Sequence, residues 1–241
     1  MAEIHFGTDG WRAIIADDFT FANVARVTQA TADFWLRNPP HDTRKLIVVG
    51  YDRRFLSDQF ARRSAEVFAA NGFDVVLTAS PTPTPSVSFA VHAMRATGGV
   101  IITASHNPPA FNGFKLKAHY GGPASPELCR AVEQCLDQNP PKISAPADAT
   151  GRITVADLRP AHFAAIKRLV DFRLIARSKL RFAHEALFGV GAGCFDELLK
   201  RTTCRVTTLN GRHDPYFGGI NPEPIAANYT ASAAYLRRHP H

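Results

Sequence analysis

The chain of 241 residues is 45% hydrophobic and 20% charged, which fits one large or two ordinary globular domains and excludes a disordered, collagenous or coiled-coil protein. No window approaches the roughly 18 consecutive apolar residues of a membrane helix, and the N-terminal residues lack the basic and apolar regions of a secretory signal, so we expect a cytoplasmic protein with no membrane partner. The formal net charge of +7 favours anionic partners, but the basic residues are scattered without a run of five or more, so we expect no nucleic-acid partner.

Helices and short apolar runs alternate through the first part of the chain. Apolar spacing predicts helices over 20–36, 57–70, 86–95 and 125–136, with Ser57 capping the second. Unbroken apolar, β-branched runs predict strands over 46–51, 73–77 and 98–103. This β-α-β alternation is typical of an α/β domain whose parallel strands are buried on both faces.

A stretch rich in Ser, Ala, Pro and Asp, up to residue 150, is typical of a linker and predicts a domain boundary near residue 142. The domains are then 1–142 and 143–241. In the second domain we predict strands over 180–183 and 204–209. We also predict a helix over 160–170, a helix that ends at residue 200 and a last helix over 228–238. Because the last helix has no following strand, we expect the second α/β domain to be incomplete.

The segment 103–108, TASHNP, follows a predicted buried strand, where open α/β sheets place their ligands. Ser105 there fits a nucleophile or phosphoryl carrier, with His106 beside it and Lys115 neutralising negative charge. The alternative is a plain turn in which Asn107, restricted by the following proline, hydrogen-bonds its own backbone. Spacing alone leaves both interpretations open.

Two other segments carry basic residues in ligand-like settings. The glycines of FGTDGWR, residues 6–12, permit turns and a close approach to a ligand, and Arg12 can grip a phosphate; the alternative is a hairpin with an exposed arginine. Asp52, Arg53 and Arg54 follow the first predicted strand and either orient a loop, reach an anion or are solvated.

Other patterns exclude some chemistries. GVGAG at 189–193 lacks the G-x-G-x-x-G spacing of a dinucleotide site, so we expect its glycines to allow close packing of a helix. No histidine pair has the spacing of a zinc motif, and the cysteines fit free thiols; they are Cys129, Cys135, Cys194 and Cys204.

Taken in order, several segments resemble motifs of the α-D-phosphohexomutase family, which includes the phosphoglucomutases and phosphomannomutases. They are FGTDGWR at 6–12, GYDRR at 50–54, TASHNP at 103–108 with NGFK at 112–115, and, in the second half, HEALFGVGAG and FGGINPEP. The resemblance implies an α/β fold of two consecutive three-layer α/β/α domains with mixed, mainly parallel sheets. The first would be domain I, with the phosphoserine loop, and the second an incomplete domain II.

The resemblance also implies an isomerase that interconverts hexose 1-phosphate and hexose 6-phosphate, with glucose or mannose as the sugar. Ser105 would be a phosphoserine that forms a bisphosphorylated hexose, with Arg12, His106 and Lys115 as its catalytic partners. Phosphate or substrate binding would involve Thr8, Asp9, Gly10 and Asn107. The implied cofactors are Mg²⁺, with the Ser105 phosphoserine as a ligand, and the bisphosphorylated hexose as activator.

The chain departs from the family pattern in length and in one motif. Similar members are about twice as long, and their magnesium loop, Asp-Gly-Asp-x-Asp-Arg, does not occur in these 241 residues. We therefore expect a truncated chain, weak or inactive alone, whose partners are a phosphosugar and a second chain or missing C-terminal domains. The alternative is a non-catalytic remnant that binds a phosphosugar or a partner protein.

Overall fold

The computed structural model describes residues 3–7, 10–143 and 149–239, and the chain forms two compact units. Unit 1 comprises Met1–Asp52, Leu56–Ala104 and Ala110–Arg159. Unit 2 comprises Arg53–Phe55, Ser105–Pro109 and Pro160–His241. Two short loops of the first part of the chain therefore belong, by their contacts, to unit 2.

Unit 1 is an α/β structure. Its strands are β1 (Trp11–Ile14), β2 (Arg44–Tyr51), β3 (Asp74–Thr78), β4 (Ala96–Ile102), β5 (Phe111–Ala118) and β6 (Ile153–Ala156). Its helices are α1 (Phe21–Arg37), α2 (Ser57–Ala70), α3 (Thr84–Ala93) and α4 (Pro126–Glu133). The six strands form one sheet in the order β1-β5-β4-β2-β3-β6, in which β4, β2, β3 and β6 are parallel and β1 and β5 are paired antiparallel.

Alternate residues of β2 pack into two separate hydrophobic cores. Ile47 and Val49 belong to a core with side chains of α1, α2 and α4, whereas Leu46 and Val48 belong to a core with α3. Because successive strand residues point to opposite faces, the sheet is covered on both faces. This confirms the three-layer α/β/α arrangement with a mixed, mainly parallel sheet.

Helix α1 packs directly on β4 through a glycine. Trp35, 2% exposed, lies against Gly98, where an added Cβ would stand 2.3 Å from the indole ring. We predict that Gly98→Ala lowers the free energy of unfolding by roughly 1–3 kcal/mol, because a buried ring must move. Urea unfolding followed by tryptophan fluorescence measures this, since both tryptophans, Trp11 and Trp35, lie in unit 1.

The matched control for Gly98→Ala is Gly7→Ala. An added Cβ at Gly7 meets only the Gly10 carbonyl oxygen, at 3.6 Å, which is ordinary van der Waals contact. The control should unfold like the wild type. Equal stability of the two variants would contradict the close packing of α1 on β4.

The last segment of unit 2 begins within α5, whose first residue, Arg159, belongs to unit 1. Its elements are α5 (Arg159–Leu169), α6 (Phe172–Arg177), β7 (Arg181–Glu185), α7 (Cys194–Leu199), β8 (Arg205–Leu209), 3₁₀ turns at Phe217–Gly219 and Ala226–Tyr229, and α8 (Thr230–Arg238). β7 and β8 pair in parallel. Leu169 and Leu174 are largely exposed, at 85% and 69%.

Every helix and strand predicted from the sequence is present within a few residues of its predicted ends. The structure adds β1, β5, β6 and α6. β6 pairs with β3 and so extends the sheet of unit 1 beyond residue 142, where the sequence analysis places its boundary. Part of the predicted linker, 144–148, lies outside the described residues. Across the described part of the chain, no helix is both long and apolar enough to cross a membrane.

Candidate functional site

The Ser105 loop, residues 105–109, connects β4 to β5. β4 is parallel to β2, and the register pairs Tyr51 with Ile102 at the carboxyl ends of the two strands. Thr103 is buried, whereas Ser105 and His106 are exposed. Because open α/β sheets bind ligands beyond the carboxyl ends of their strands, the end of β4 is a position typical of a ligand site.

A polar network in unit 1 joins the end of β4 to the beginning of β5. The Asp52 carboxylate accepts hydrogen bonds from the hydroxyls of Ser57, at 2.8 Å, and Thr103, at 2.6 Å. The Asn112 side-chain amide donates to the Ser57 hydroxyl at 2.9 Å, and its oxygen accepts from the Gly113 N–H at 2.8 Å. The residues on both sides of the Ser105 loop are thereby fixed to one carboxylate.

This network corrects the prediction that Ser57 caps α2. The residue before the helix is Leu56, in the left-handed conformation with φ 57°, and it makes no side-chain capping bond. Ser57 is the first helical residue. Its hydroxyl donates to Asp52 instead, because a hydrogen bond to a charged carboxylate is stronger than one between neutral groups.

Removal of the shared carboxylate should destabilise unit 1. We predict that Asp52→Ala lowers the free energy of unfolding by roughly 1.5–3 kcal/mol, because the hydroxyls of Ser57 and Thr103 lose a charged acceptor. Urea unfolding measures the change. The exposed Asp17 provides the control, since Asp17→Ala removes the same charge without touching the network. A loss of stability equal to that of the control would contradict an anchoring role.

Ser105 has an uncommon backbone conformation. Its φ is 60°, in the left-handed region that non-glycine residues seldom adopt. Its Oγ lies 3.3 Å from Nδ1 of His106, within hydrogen-bonding distance. The loop thus holds an exposed hydroxyl beside an imidazole, an arrangement that can exchange a proton at the serine oxygen.

The backbone carbonyls of this loop are bound by Arg54. The guanidinium donates to the carbonyl oxygens of Ser105 at 3.0 Å, Asn107 at 2.7 Å and Pro108 at 2.9 Å. Its carbon lies 5.1 Å from the centre of the Phe217 ring, which places it over that ring. Arg54 therefore orients a loop, which is one of the uses that the sequence leaves open. The side chain of Asn107 keeps both predicted roles, a hydrogen bond to its own backbone in a turn or binding of a phosphate or substrate.

Gly10 lies close to the backbone of β5. Its φ is 107°, and an added Cβ would stand 2.6 Å from the carbonyl oxygen of Phe114 and 2.9 Å from Cγ of Lys115. The Gly7 N–H donates to the Gly10 carbonyl at 3.0 Å. The intervening Thr8 and Asp9, predicted to bind phosphate, lie outside the described residues.

Arg12 and Lys115 lie on paired strands of unit 1. Arg12 in β1 is opposite Gly113 of β5, and Lys115 follows two residues further along β5. Because alternate strand residues share a face, both cations project from the same face of the sheet. Arg12 is half-buried and Lys115 is 6% exposed. Two partly desolvated cations on one face can attract a phosphate group.

Burial also alters the ionisation of residues that end and follow β2. Desolvation raises the pKa of the Tyr51 phenol, with the Asp58 carboxylate adding to the effect. Desolvation lowers the pKa of the Arg53 guanidinium below its ordinary value. Both shifts have the same first cause, the partial burial of these side chains.

The residues present do not form a metal site. Over residues 3–7, 10–143 and 149–239, no group of three or more His, Cys, Asp or Glu side chains is arranged to hold a metal ion. Mg²⁺ prefers a nearly octahedral set of oxygen ligands. The single oxygen that Ser105 could contribute does not make such a set, so the described part of the chain does not by itself fit Mg²⁺.

Among the glycines at 189–193, Gly193 has a conformational use. Gly193 precedes α7 with φ 81°, and an added Cβ there would meet nothing within 4 Å. The expectation that these glycines permit close packing is therefore wrong at Gly193, where the left-handed backbone is the reason for glycine. The four cysteines are thiols, as expected.

Comparison with known proteins identifies the family. Residues 3–142 match the family "Phosphoglucomutase/phosphomannomutase, alpha/beta/alpha domain I". The chain is similar to a phosphoglucosamine mutase of Zymomonas mobilis, with 37% identity over 98% of this chain and 53% of that protein. It is also similar to a phosphoglucomutase/phosphomannomutase of Thermococcus kodakarensis, with 30% identity over 92% of this chain and 48% of that one.

A crystal structure described as a phosphomannomutase, from Thermus thermophilus, has the same fold. It matches with a TM-score of 0.88 and 37% identity over 98% of this chain and 52% of that one. The chain thus spans about half the length of these relatives. With domain I matched over residues 3–142, the chain belongs to the phosphoglucomutase/phosphomannomutase family.

Proposed function

We propose that this chain supplies the phosphoserine half of a phosphohexomutase, an isomerase that interconverts hexose 1-phosphate and hexose 6-phosphate. One observation carries the proposal: the exposed Ser105 is held in a left-handed conformation with its Oγ 3.3 Å from Nδ1 of His106, in a chain of this family. Because the chain spans about half of its relatives, the activity is proposed for an assembly with further polypeptide.

The proposed reaction has two phosphoryl transfers. In the first, a sugar hydroxyl oxygen bonds to phosphorus, the bond from phosphorus to Ser105 Oγ breaks, and the hydroxyl proton passes to a base. In the second, Ser105 Oγ bonds to the phosphorus of the other phosphate of the bisphosphorylated hexose, the bond from that phosphorus to the sugar oxygen breaks, and a proton passes to that oxygen. Catalysis of this kind depends on placement and charge neutralisation, which are the roles proposed for Arg12, His106 and Lys115. Thr8, Asp9, Gly10 and Asn107 are proposed to bind the phosphosugar.

Mg²⁺ remains a proposed cofactor of the assembled enzyme. When bound to a phosphoserine it acts as a Lewis acid on the phosphoryl group. The described residues of this chain hold no set of metal ligands, so its remaining ligands would come from other polypeptide. No step above depends on it, and the bisphosphorylated hexose is proposed as the activator.

A reassembled mutase tests the proposal. We define it as this chain co-expressed with the part of the Thermus relative that the chain does not match. The positive control combines that part with the relative's own matching half. Phosphates of glucose, mannose and glucosamine are each supplied as the 1-phosphate, since the similar proteins are named for several sugars. We expect formation of a hexose 6-phosphate.

The possible outcomes of this experiment distinguish a mutase from a non-catalytic remnant. No turnover by the reassembled mutase, when the positive control is active, would contradict the proposal. Binding of a hexose phosphate without turnover would then favour the alternative, a non-catalytic remnant. Turnover by this chain without the second part would contradict only the expectation that it is weak or inactive alone.

A further inference from the structure

Arg54 is a buried cation that binds three backbone carbonyls. Its side chain is 3% exposed, and its guanidinium donates to the carbonyls of Ser105, Asn107 and Pro108. Moving a guanidinium out of water is costly unless its N–H groups find acceptors. The three carbonyls supply such acceptors, so the charge and the loop stabilise each other. Because the donors of arginine form a rigid planar fork, the position of all three carbonyls is fixed together.

The Ser105 loop contains two prolines and one residue in a strained conformation. Pro108 and Pro109 have no backbone N–H to donate, and Ser105 occupies a conformation that costs energy for a residue with a side chain. Such a conformation persists only where the surroundings enforce it. The bond from Arg54 to the Ser105 carbonyl, at 3.0 Å, acts on the residue that carries the strain.

Phe217 covers the guanidinium from the second half of the chain. It lies in the segment FGGINPEP, is 4% exposed and has its ring centre 5.1 Å from the guanidinium carbon. Guanidinium groups stack favourably on aromatic faces, and the ring also keeps water from the donors. This contact gives that segment a physical use that the sequence analysis did not assign.

We propose that Arg54 is a positioning residue for phosphoryl transfer: it binds the backbone of the Ser105 loop, holds Ser105 in its left-handed conformation and is itself held by Phe217. The inference rests on the proposed function for its catalytic consequence. Its geometric part, that Arg54 holds the backbone of the Ser105 loop, rests on the contacts alone.

Backbone dynamics of the intact chain test the geometric part. We expect the amide order parameters of Ser105, His106 and Asn107, measured by NMR relaxation, to fall from about 0.85 to below about 0.6 in Arg54→Met. Arg54→Lys should give intermediate values, because an ammonium can reach some of the carbonyls but lacks the planar fork. A residue that only stabilised the fold would lower the melting temperature without loosening this loop.

Arg53→Met is the matched control. Arg53 is the neighbouring arginine of unit 2, and its guanidinium donates to the carbonyls of Gly211 and Arg212, not to the Ser105 loop. We expect wild-type order parameters in the loop of this variant. A rigid Ser105 loop in folded Arg54→Met, or equal loosening in Arg53→Met, would overturn the inference.

A further variant covers the case in which Arg54→Met does not fold. Phe217→Leu keeps the arginine but removes the ring from it, so the loop should loosen in the same direction and by less. If the loop stays as rigid as wild type in both Phe217→Leu and Arg54→Lys, the inference is overturned. Loosening in either folded variant, with a rigid loop in Arg53→Met, supports it.

Kinetics of the reassembled mutase test the catalytic part. Arg54→Lys should lower kcat by about 10–10²-fold with KM changed by less than about threefold, because a misplaced nucleophile affects transfer more than substrate binding. A loosened loop with an unchanged kcat would overturn the positioning role. Absence of turnover in the wild-type assembly would contradict the proposed function instead, and the NMR result would still decide whether Arg54 holds the loop.

Discussion

Ser105→Ala should lower the turnover of the reassembled mutase by at least about 10⁴-fold, because the acceptor oxygen for the phosphoryl group is removed. The side chain is exposed, so its loss costs the fold little. Alanine in the left-handed conformation is about as strained as serine, so we expect the substitution to leave the backbone conformation of the loop unchanged. The measurement is the rate of hexose 6-phosphate formation, with thermal unfolding of the same samples as the check on folding.

Ser178→Ala serves as the control for the loss of a hydroxyl. Ser178 is also exposed and lies at the end of α6 in unit 2. Its removal should leave turnover within about twofold of wild type, as expected for a surface substitution away from the reaction. If Ser105→Ala retained a tenth or more of the wild-type rate, phosphoryl transfer through Ser105 would be contradicted.

Lys115→Met should lower turnover of the reassembled mutase by about 10²–10³-fold, because a buried cation that stabilises transferring charge is lost. Methionine has a similar length, so the packing of β5 is largely retained. The expected change is in kcat more than in KM, since the charge on the phosphoryl oxygens is redistributed during transfer. Steady-state kinetics with a saturating hexose 1-phosphate measure it.

Lys117→Met is the matched control for Lys115→Met. It lies two residues along the same strand, on the same face, and like Lys115 it is 6% exposed. Lys117→Met removes the same charge at the same burial, so the two variants should lose similar stability, while Lys117→Met should change turnover by less than about tenfold. Equal losses of turnover would show that the lysines act through the fold and would contradict a role for Lys115 in the reaction.

The buried parallel strands could be predicted because their sequences are unambiguous. The run over 46–51 is apolar and β-branched, and it forms β2 with Leu46 to Val49 at 5% exposure or less. β5 could not be predicted in this way. It buries Asn112, Lys115 and Lys117, which are residue types that ordinarily indicate a surface. A strand whose buried polar groups serve a site does not show the apolar pattern on which strand prediction depends.

Contacts between residues that are distant in sequence also could not be predicted. The position of Asp52 directly after a buried strand predicts that its carboxylate lies at a ligand-binding edge of the sheet. Its hydrogen bond to Thr103 could not be predicted, because it depends on which strands pair. The same holds for the bonds from Arg54 to the Ser105 loop and for its contact with Phe217. A conformation such as that of Ser105 has no sequence signal either, because serine rarely adopts it.

The proposed reaction depends most directly on which residue carries the phosphoryl group. Trypsin releases residues 96–115 as one peptide, between Arg95 and Lys115, with Thr97, Thr103 and Ser105 as its possible acceptors. Fragment-ion mass spectrometry of the reassembled mutase, after incubation with hexose 1,6-bisphosphate, should place one phosphate on Ser105 and none on the two buried threonines. Phosphate on either threonine, or an unmodified peptide in an enzyme that turns over, would contradict it.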